Sequence, residues 1–169
     1  HSASGVNSNG TTSYMSTTIL PSALGATGSL GCTTKSAWAG GDRRPIGSDN
    51  LTEVFRINLY SDGNNYFQFG KTTDSVSSSV GAGNHAGVRE SSTSLKSLFN
   101  GSVVATDTGA TTVGSSSMPF NLLADNTNMV PFGFTVAITT QFWFGVAMTV
   151  AEITTLNGII DTMETAFGR

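Results

Sequence analysis

Hydrophobic and polar residues alternate along most of the chain in short runs, broken every few residues by clusters of Gly, Asn, Asp and Ser. A period of two with frequent turn residues is the pattern of half-buried β-strands. It predicts strands over residues 13–19, 29–38, 53–60, 65–70, 86–91, 95–99, 102–106, 120–124, 132–138 and 141–147. The Ser-rich stretch 72–83 reads as a loop or a weak edge strand, and 109–117 as a second loop. Apolar strands resume at once on both sides of each, so neither is a domain linker, and no internal repeat is visible.

One hairpin can be worked out in detail. Phe55, Ile57 and Leu59 alternate with Arg56, Asn58 and Tyr60, and Phe67 and Phe69 alternate with Tyr66 and Gln68. Directly opposed residues of an antiparallel pair share a face. Pairing Phe67 with Leu59 and Phe69 with Ile57 makes paired numbers sum to 126, which requires a loop of odd length, most simply Asp62-Gly63-Asn64. A two-residue Asp-Gly turn would slip the register by one and mix the faces. Arg56, Asn58, Tyr60, Tyr66 and Gln68 are thereby expected together on the other face. Asn100-Gly101 signals a second hairpin between 95–99 and 102–106.

The one convincing helix is the last element, about 149–167. Thr149-Val150-Ala151-Glu152 is a capping box, in which the Thr hydroxyl and the Glu carboxylate each take a backbone N–H of the other. Ile153, Leu156, Ile160, Met163 and Phe167 recur at spacings of three and four, predicting one apolar stripe against the sheet, and Gly168 supplies the stop. Many strands and a terminal helix predict an all-β, two-sheet antiparallel sandwich with one C-terminal α-helix packed on it.

Composition narrows the function classes. The chain has 169 residues, the size of one domain. Charged residues make up 11%, against about 25% in an ordinary soluble domain, while there are 22 Ser, 24 Thr and 20 Gly. A net charge of −3 argues against nucleic acid, which wants a basic face. The single cysteine, Cys32, excludes an internal disulfide framework and any multi-cysteine metal site. The uncharged stretch 126–151 contains Pro131, Gly133 and Gln141 and alternates, so two core strands explain it better than a membrane-spanning helix. The chain starts at His1 without a Met, which reads as an excised domain or processed product, and no signal peptide is visible.

At three places the residues resemble a known family. Asn9-Gly10-Thr11-Thr12-Ser13-Tyr14-Met15 resembles the opening strand of concanavalin A-like (laminin-G-like) jelly-roll domains, where N-G-x-x-x-Y is common. Leu98-Phe99-Asn100-Gly101-Ser102-Val103-Val104 resembles their late hairpin. The tail from Phe144 to Ile153, and on through Ala166-Phe167-Gly168-Arg169, is similar to the final strand and helix of such modules at the C-termini of bacteriophage tail-fibre, tail-spike and other virion proteins. The similarity covers the two ends and one middle hairpin. It implies a jelly-roll sandwich and a non-enzymatic virion-surface or receptor-binding module recognising a host glycan. The partners it implies are a glycan or host-surface receptor, virion subunits and further copies of the chain, at the virion surface or outside the cell.

The chemistry of hydrolysis is not written in the sequence. Glycosidases of this fold carry paired acidic residues at alternating positions of one strand, supplying a proton donor and a nucleophile. No two of the eleven acidic residues are so placed, although a pair assembled from separate strands is left open. Gly70-Lys71-Thr72 lacks the first glycine of a phosphate loop, and Gly81-Ala82-Gly83-Asn84-His85-Ala86 fits a dinucleotide fingerprint without the βαβ unit it needs. His85 reads as a loop or strand-end histidine bonded to the backbone rather than a base, and Cys32 as a small buried hydrophobe. The resemblance makes calcium a candidate ligand of Asp42, Asp49 and Asp74, but calcium wants six or more oxygens and no Asp-x-Asp-x-Asp cluster is present. Surface carboxylates are the favoured reading, and no cofactor is expected.

The best carbohydrate candidates are Trp38, Tyr60 and Tyr66, whose rings could stack on a sugar's C–H face. Arg56, Asn58 and Gln68 would fix its hydroxyls. The bland alternative is that this face packs on another element or subunit. Trp143, between Phe142 and Phe144, reads as buried under the terminal helix. The triplets at Asn9, Asn50 and Asn100 fit the glycan-acceptor pattern, with turn chemistry the better account of the two Asn-Gly pairs. Two rival functions remain: a capsid decoration or assembly protein binding only neighbouring subunits, and a polysaccharide depolymerase domain.

Overall fold

The computed structural model describes residues 9, 11–35, 42–60, 64–71, 75–79, 81–91, 93–108, 116–134 and 139–168. Thirteen strands follow in chain order: β1 Met15–Ser16, β2 Gly28–Thr34, β3 Asp42–Asp49, β4 Glu53–Tyr60, β5 Asn64–Lys71, β6 Ser75–Ser79, β7 Gly83–Ser91, β8 Ser94–Phe99, β9 Ser102–Asp107, β10 Asn121–Leu122, β11 Asp125–Thr127, β12 Val130–Phe132 and β13 Thr139–Gly145. Helix α1, Val150–Ala166, ends the fold. One sheet runs β1-β10-β3-β4-β5-β6, with β11 also on β3 and β12 on β11; the other runs β13-β2-β7-β8-β9. The chain is a two-sheet sandwich with one C-terminal helix, as its periodicity predicts. Among the described residues no helix is long and apolar enough to cross a membrane.

The inward residues of both sheets make one core. Phe55, Ile57, Leu59, Phe67 and Phe69 of the larger sheet meet Leu30, Cys32 and Leu95 of the smaller one, with Phe120 stacked on Phe144 at 5.1 Å closing one side. The sheets interlock through missing side chains. A Cβ on Gly87 would lie 1.9–2.1 Å from the Phe67 ring, and one on Gly28 would lie 2.5 Å from the Phe69 ring. Each glycine is a socket for an aromatic ring of the opposite sheet.

The worked hairpin forms with its faces as expected but its register moved by two. Ile57 pairs with Phe67 and Phe55 with Phe69, so paired numbers sum to 124. This register sets the two fully buried rings of Phe55 and Phe69 edge to face at 4.9 Å and places Glu53 opposite Lys71. The expected register would have left Phe55 facing Lys71. Parity is unchanged, so no side chain changes face. The connecting residues 61–63 lie outside the described set.

Other expectations need correction at their edges. The Ser-rich stretch contributes β6, an edge strand on β5. Strand β3 is absent from the expectations because Asp42-Arg43-Arg44-Pro45 reads as a loop; Pro45 falls in the register irregularity between Arg43 and Ile46, where a strand tolerates it. Residues 135–138 and 109–115, within an expected strand and an expected loop, lie outside the described residues, and the expected strand's described part is the short β12. The Asn100-Gly101 turn forms between β8 and β9 with both residues at positive φ (49° and 81°). Asn9 and Asn50 likewise use their side chains to hold local N–H groups, Asn9 those of Thr11, Thr12 and Ser13.

The capping box of α1 is complete. Glu152 N donates to Thr149 Oγ1 at 3.2 Å and Thr149 N donates to Glu152 Oε2 at 2.7 Å. The helix lies on the outer face of the smaller sheet, where Ile153 joins Ala86, Val88 and Leu98, with half-buried Trp143 packed beside them over Gly31. Its buried face is not the expected stripe. Ile153, Asn157, Ile160 and Glu164 are buried, whereas Met163 and Phe167 are 43% and 59% exposed. Polar contacts set this rotation: Gln141 Nε2 donates to Glu164 Oε1 at 3.0 Å, and Thr154 Oγ1 donates to the Gly101 carbonyl at 2.8 Å. In the C-terminal half, hydrogen bonding outweighs the apolar stripe.

The Gly87 socket makes a direct prediction. Gly87→Ala should destabilise the domain by about 1–3 kcal/mol or more, because the added methyl displaces Phe67 from a packed interior. Urea unfolding of the two proteins measures it, and Gly81→Ala, where nothing lies within 4 Å, is the matched control.

Candidate functional site

Turning Phe55, Ile57, Leu59, Phe67 and Phe69 inward forces Arg56, Asn58, Tyr66 and Gln68 onto the outer face of the larger sheet, and the register sets Arg56 opposite Gln68 and Asn58 opposite Tyr66. Four of the six sequence candidates are thereby brought together. Tyr60 ends β4 opposite Asp42, with its side chain outside the described set, and Trp38 lies outside the described residues altogether.

The arrangement is an ion chain laid across the sheet. Arg56 Nε donates to Gln68 Oε1 at 2.6 Å, and Arg56 Nη1 donates to Asp49 Oδ2 and Asp125 Oδ2, both at 3.0 Å. Arg44 Nη1 donates to the same Asp125 oxygen at 2.8 Å, and its other nitrogens donate to Asp42 Oδ2 at 3.0 and 2.5 Å. The Arg44 guanidinium also lies 4.7 Å over the Phe132 ring. Asp125 fits because Gly47 has no side chain: a Cβ there would stand 2.4 Å from Asp125 Oδ1.

Two guanidinium groups thus serve three carboxylates. Burial opposes the charge of Arg44, but Asp42 and Asp125 outweigh it and raise its pKa further. Asp125 has no solvent exposure, and that burial pushes its pKa up against the downward pull of Arg56 and Arg44. Asp49 and Asp125 come together from separate strands, yet they share one guanidinium nitrogen and Asp125 Oδ1 is pressed on Gly47. No substrate can reach Asp125. The face is also partly closed, since Asn58 and Gln68 are buried and Tyr66 is half-buried.

Reading the sequence missed Arg44 and Asp125, and treated Asp42 and Asp49 as surface carboxylates. Both aspartates belong to the ion chain. The available signal was the Asp42/Arg44 spacing of two, which puts opposite charges on one face of a strand. Asp74 lies outside the described residues. Among the described residues no group of three His, Cys, Asp or Glu could hold a metal ion.

His85 and Cys32 face inward. His85 Nε2 sits 3.1 Å from Thr34 Oγ1, and its ring centroid 5.3 Å from that of Phe99. Burial lowers its pKa to about 4. Burial likewise drives the Cys32 thiol well above its usual range, which leaves it protonated and unreactive.

No family model matches the sequence, and none of the curated proteins matches it. Solved structures do. The NanB sialidase from Streptococcus pneumoniae superposes with a TM-score of 0.65 at 14% identity, over 85% of this chain and 26% of that one. The binding domain of botulinum neurotoxin serotype G gives 0.59 at 8% identity, over 81% of this chain and 37% of that one. The carbohydrate-binding module CBM40 of the Ruminococcus gnavus IT-sialidase, bound to α2,3-sialyllactose, gives 0.54 at 13% identity, over 78% of this chain and 82% of that one. The chain spans about a quarter of the sialidase and about four-fifths of the isolated module. At these identities the likeness establishes a lectin-like β-sandwich fold.

His85, inside the sandwich, gives the fold a pH signature. Its folded pKa lies below the unfolded value near 6.5, so between the two the unfolded chain binds the proton and the folded one does not. Stability is therefore fully present above about pH 6.5 and falls toward about pH 4, by on the order of 3 kcal/mol from this group. Urea unfolding of wild type and His85→Gln at pH 7 and pH 4.5 should show a smaller pH loss in the variant; an identical loss would remove His85 as the cause.

Proposed function

We propose that the chain is a non-enzymatic carbohydrate-binding module. The observation that carries this reading is the outer face of the larger sheet, where Tyr66 stands beside the Arg56–Gln68 pair on a lectin-like sandwich. A neighbouring fold of nearly the same extent is a carbohydrate-binding module in complex with a sialylated sugar, and another is a toxin binding domain in complex with SialylT. Tyr66 is the stacking residue. Arg56 is a positioning residue: its Nε holds Gln68, and its Nη1 is held by Asp49 and Asp125. With Asp125 closed to solvent, the described residues of this face offer no acid–base pair.

The setting we propose is the surface of a virus particle, as the receptor-binding part of a bacteriophage tail fibre or similar protein. The strand-to-helix tail from Phe144 to Arg169, similar to the C-termini of such proteins, supports it; the opening Asn9–Met15 motif and the Asn100-Gly101 hairpin resemble the wider concanavalin A-like group. A second reading, a decoration or assembly protein that binds neighbouring subunits, is favoured by the exposed Ile159, Met163 and Phe167 along α1 and by Val146 before it.

Binding of immobilised oligosaccharides, sialylated and neutral, to wild type and Tyr66→Ala by surface plasmon resonance separates the two. Loss of one stacked ring should weaken glycan binding about tenfold while folding is retained. Unchanged binding would remove Tyr66 from the site. Self-association in place of glycan binding, abolished by Ile159→Lys, would favour the assembly reading.

A further inference from the structure

A polar cavity lies on the opposite side of the sandwich. It is about 220 Å³ and opens where the end of β2, the start of β7, the Asn100 turn and α1 converge. Its walls include Thr33, Lys35, Asn84, Asn100 and Asp161. These residues come from four separate places in the chain, and a relay of hydrogen bonds fixes them. Thr33 Oγ1 donates to Asn84 Oδ1 at 2.6 Å, Asn84 Nδ2 donates to Asp161 Oδ1 at 3.0 Å, and Asn84 N donates to Asn100 Oδ1 at 2.9 Å. Asn84 is buried, so the relay is built into the fold rather than draped over it.

What the relay leaves open defines a ligand. Asp161 Oδ2 takes no hydrogen bond from the described residues, and among them it is an open acceptor. Asn100 keeps its amide donors, and Lys35 Nζ, 3.7 Å from Glu164 Oε2 at the cavity's edge, keeps N–H groups to give. Lys35 is paired with the buried carboxylate of Glu164, which lies outside the cavity lining and offsets its charge, so Asp161 is the uncompensated charge of the described lining and opposes a carboxylate- or phosphate-bearing ligand. The ammonium and the shortage of carboxylates oppose a metal ion. Apolar ligands would strand the polar walls. A neutral polyol satisfies all of them, because each hydroxyl donates to Asp161 and accepts from Lys35 or Asn100. The volume lies below the roughly 300–1,000 Å³ of pockets for drug-sized ligands, and so suits a single ring.

We infer that this cavity is a subsite for one neutral, unsubstituted sugar ring, held by Asp161, Asn100 and Lys35. The inference rests on the carbohydrate-binding reading but names a different surface from the Tyr66 face. It predicts selection against acidic sugars there.

The test is amide chemical-shift mapping on the full 169-residue chain, titrated with methyl α-D-galactopyranoside, methyl α-D-mannopyranoside, methyl β-D-glucopyranoside and N-acetylneuraminic acid. At least one neutral glycoside should shift the Asn84 and Asn100 side-chain amides and the Asp161 backbone, with N-acetylneuraminic acid leaving them still. Asp161→Asn should weaken that binding about tenfold or more, as loss of hydrogen bonds to a charged group does. Lys35→Gln should weaken it too, and circular dichroism checks that both variants fold. Shifts confined to Tyr66 and Gln68, or cavity shifts that survive Asp161→Asn in a folded protein, would overturn the subsite and leave the carbohydrate reading standing. No shift with any of the four sugars would also overturn the subsite, and the carbohydrate reading would then stand or fall on larger glycans at the Tyr66 face.

Discussion

Phe67 reaching across the sandwich to lie on Gly87 is the contact on which the rest of the structure depends. Two sheets pack only where side chains of one find room in the other, and here the room is the absence of a Cβ at Gly87 and, for Phe69, at Gly28. Each buried ring contributes about 1.5–3 kcal/mol of transfer free energy. Because Phe67 and Phe69 must point inward, the alternation of the strand leaves Tyr66 and Gln68 no choice but to point outward. The same logic on β4 exports Arg56 and Asn58. The composition of the candidate face is therefore a consequence of how the core locks.

That exported face holds itself together electrostatically. Burying Asp125 without solvent would cost several kcal/mol if it stood alone. Arg44 and Arg56 both reach it, Asp42 and Asp49 cap the far sides of those two arginines, and Gly47 makes the space. The chain joins β3, β4, β5 and β11 through side chains as well as through the backbone ladder. Its charges are spent on one another, which on the proposed reading leaves recognition to ring stacking and neutral hydrogen bonds rather than to free cations. The inferred subsite on the opposite side has the same character: its one ammonium is offset by the buried Glu164 outside the cavity, with Asp161 and the amide of Asn100 left to meet hydroxyls.

Much of this was legible in the sequence where a single rule dominated. Alternation in 53–60 and 65–70 identified both faces, Asn100-Gly101 marked its turn, and Thr149 with Glu152 marked the helix start. The register of β4 on β5 differs by two because alternation fixes only parity; the edge-to-face pairing of Phe55 with Phe69 is a choice between equivalents that local pattern cannot see. Strand β3 was hidden because Asp42, Arg43, Arg44 and Pro45 look like a loop until Asp125, eighty residues on, gives the arginines a reason to be buried. The turn of α1 was misjudged for a related reason, since Gln141 and Lys35 make burial of Glu164 favourable and so turn Met163 and Phe167 outward. Of the candidate site, the residues on β4 and β5 were found and those on β3 and β11 were not.

A lectin-like sandwich can serve as a binding module or as packing material for a larger particle, and these uses place different demands on the two outer faces. A glycan reader needs a face with oriented polar groups and a ring for stacking, which on the proposed reading are Gln68, Arg56 and Tyr66 of the larger sheet. An assembly protein needs an apolar face, and α1 provides a narrow one. The measurement that bears most directly on the choice is a glycan-array screen of the purified, folded chain, run with and without calcium at a protein concentration high enough to register weak binding. The account predicts a reproducible set of glycan hits that persists in the presence of a chelator, since the aspartates of the larger sheet are committed to arginines. A blank array from folded protein would contradict it.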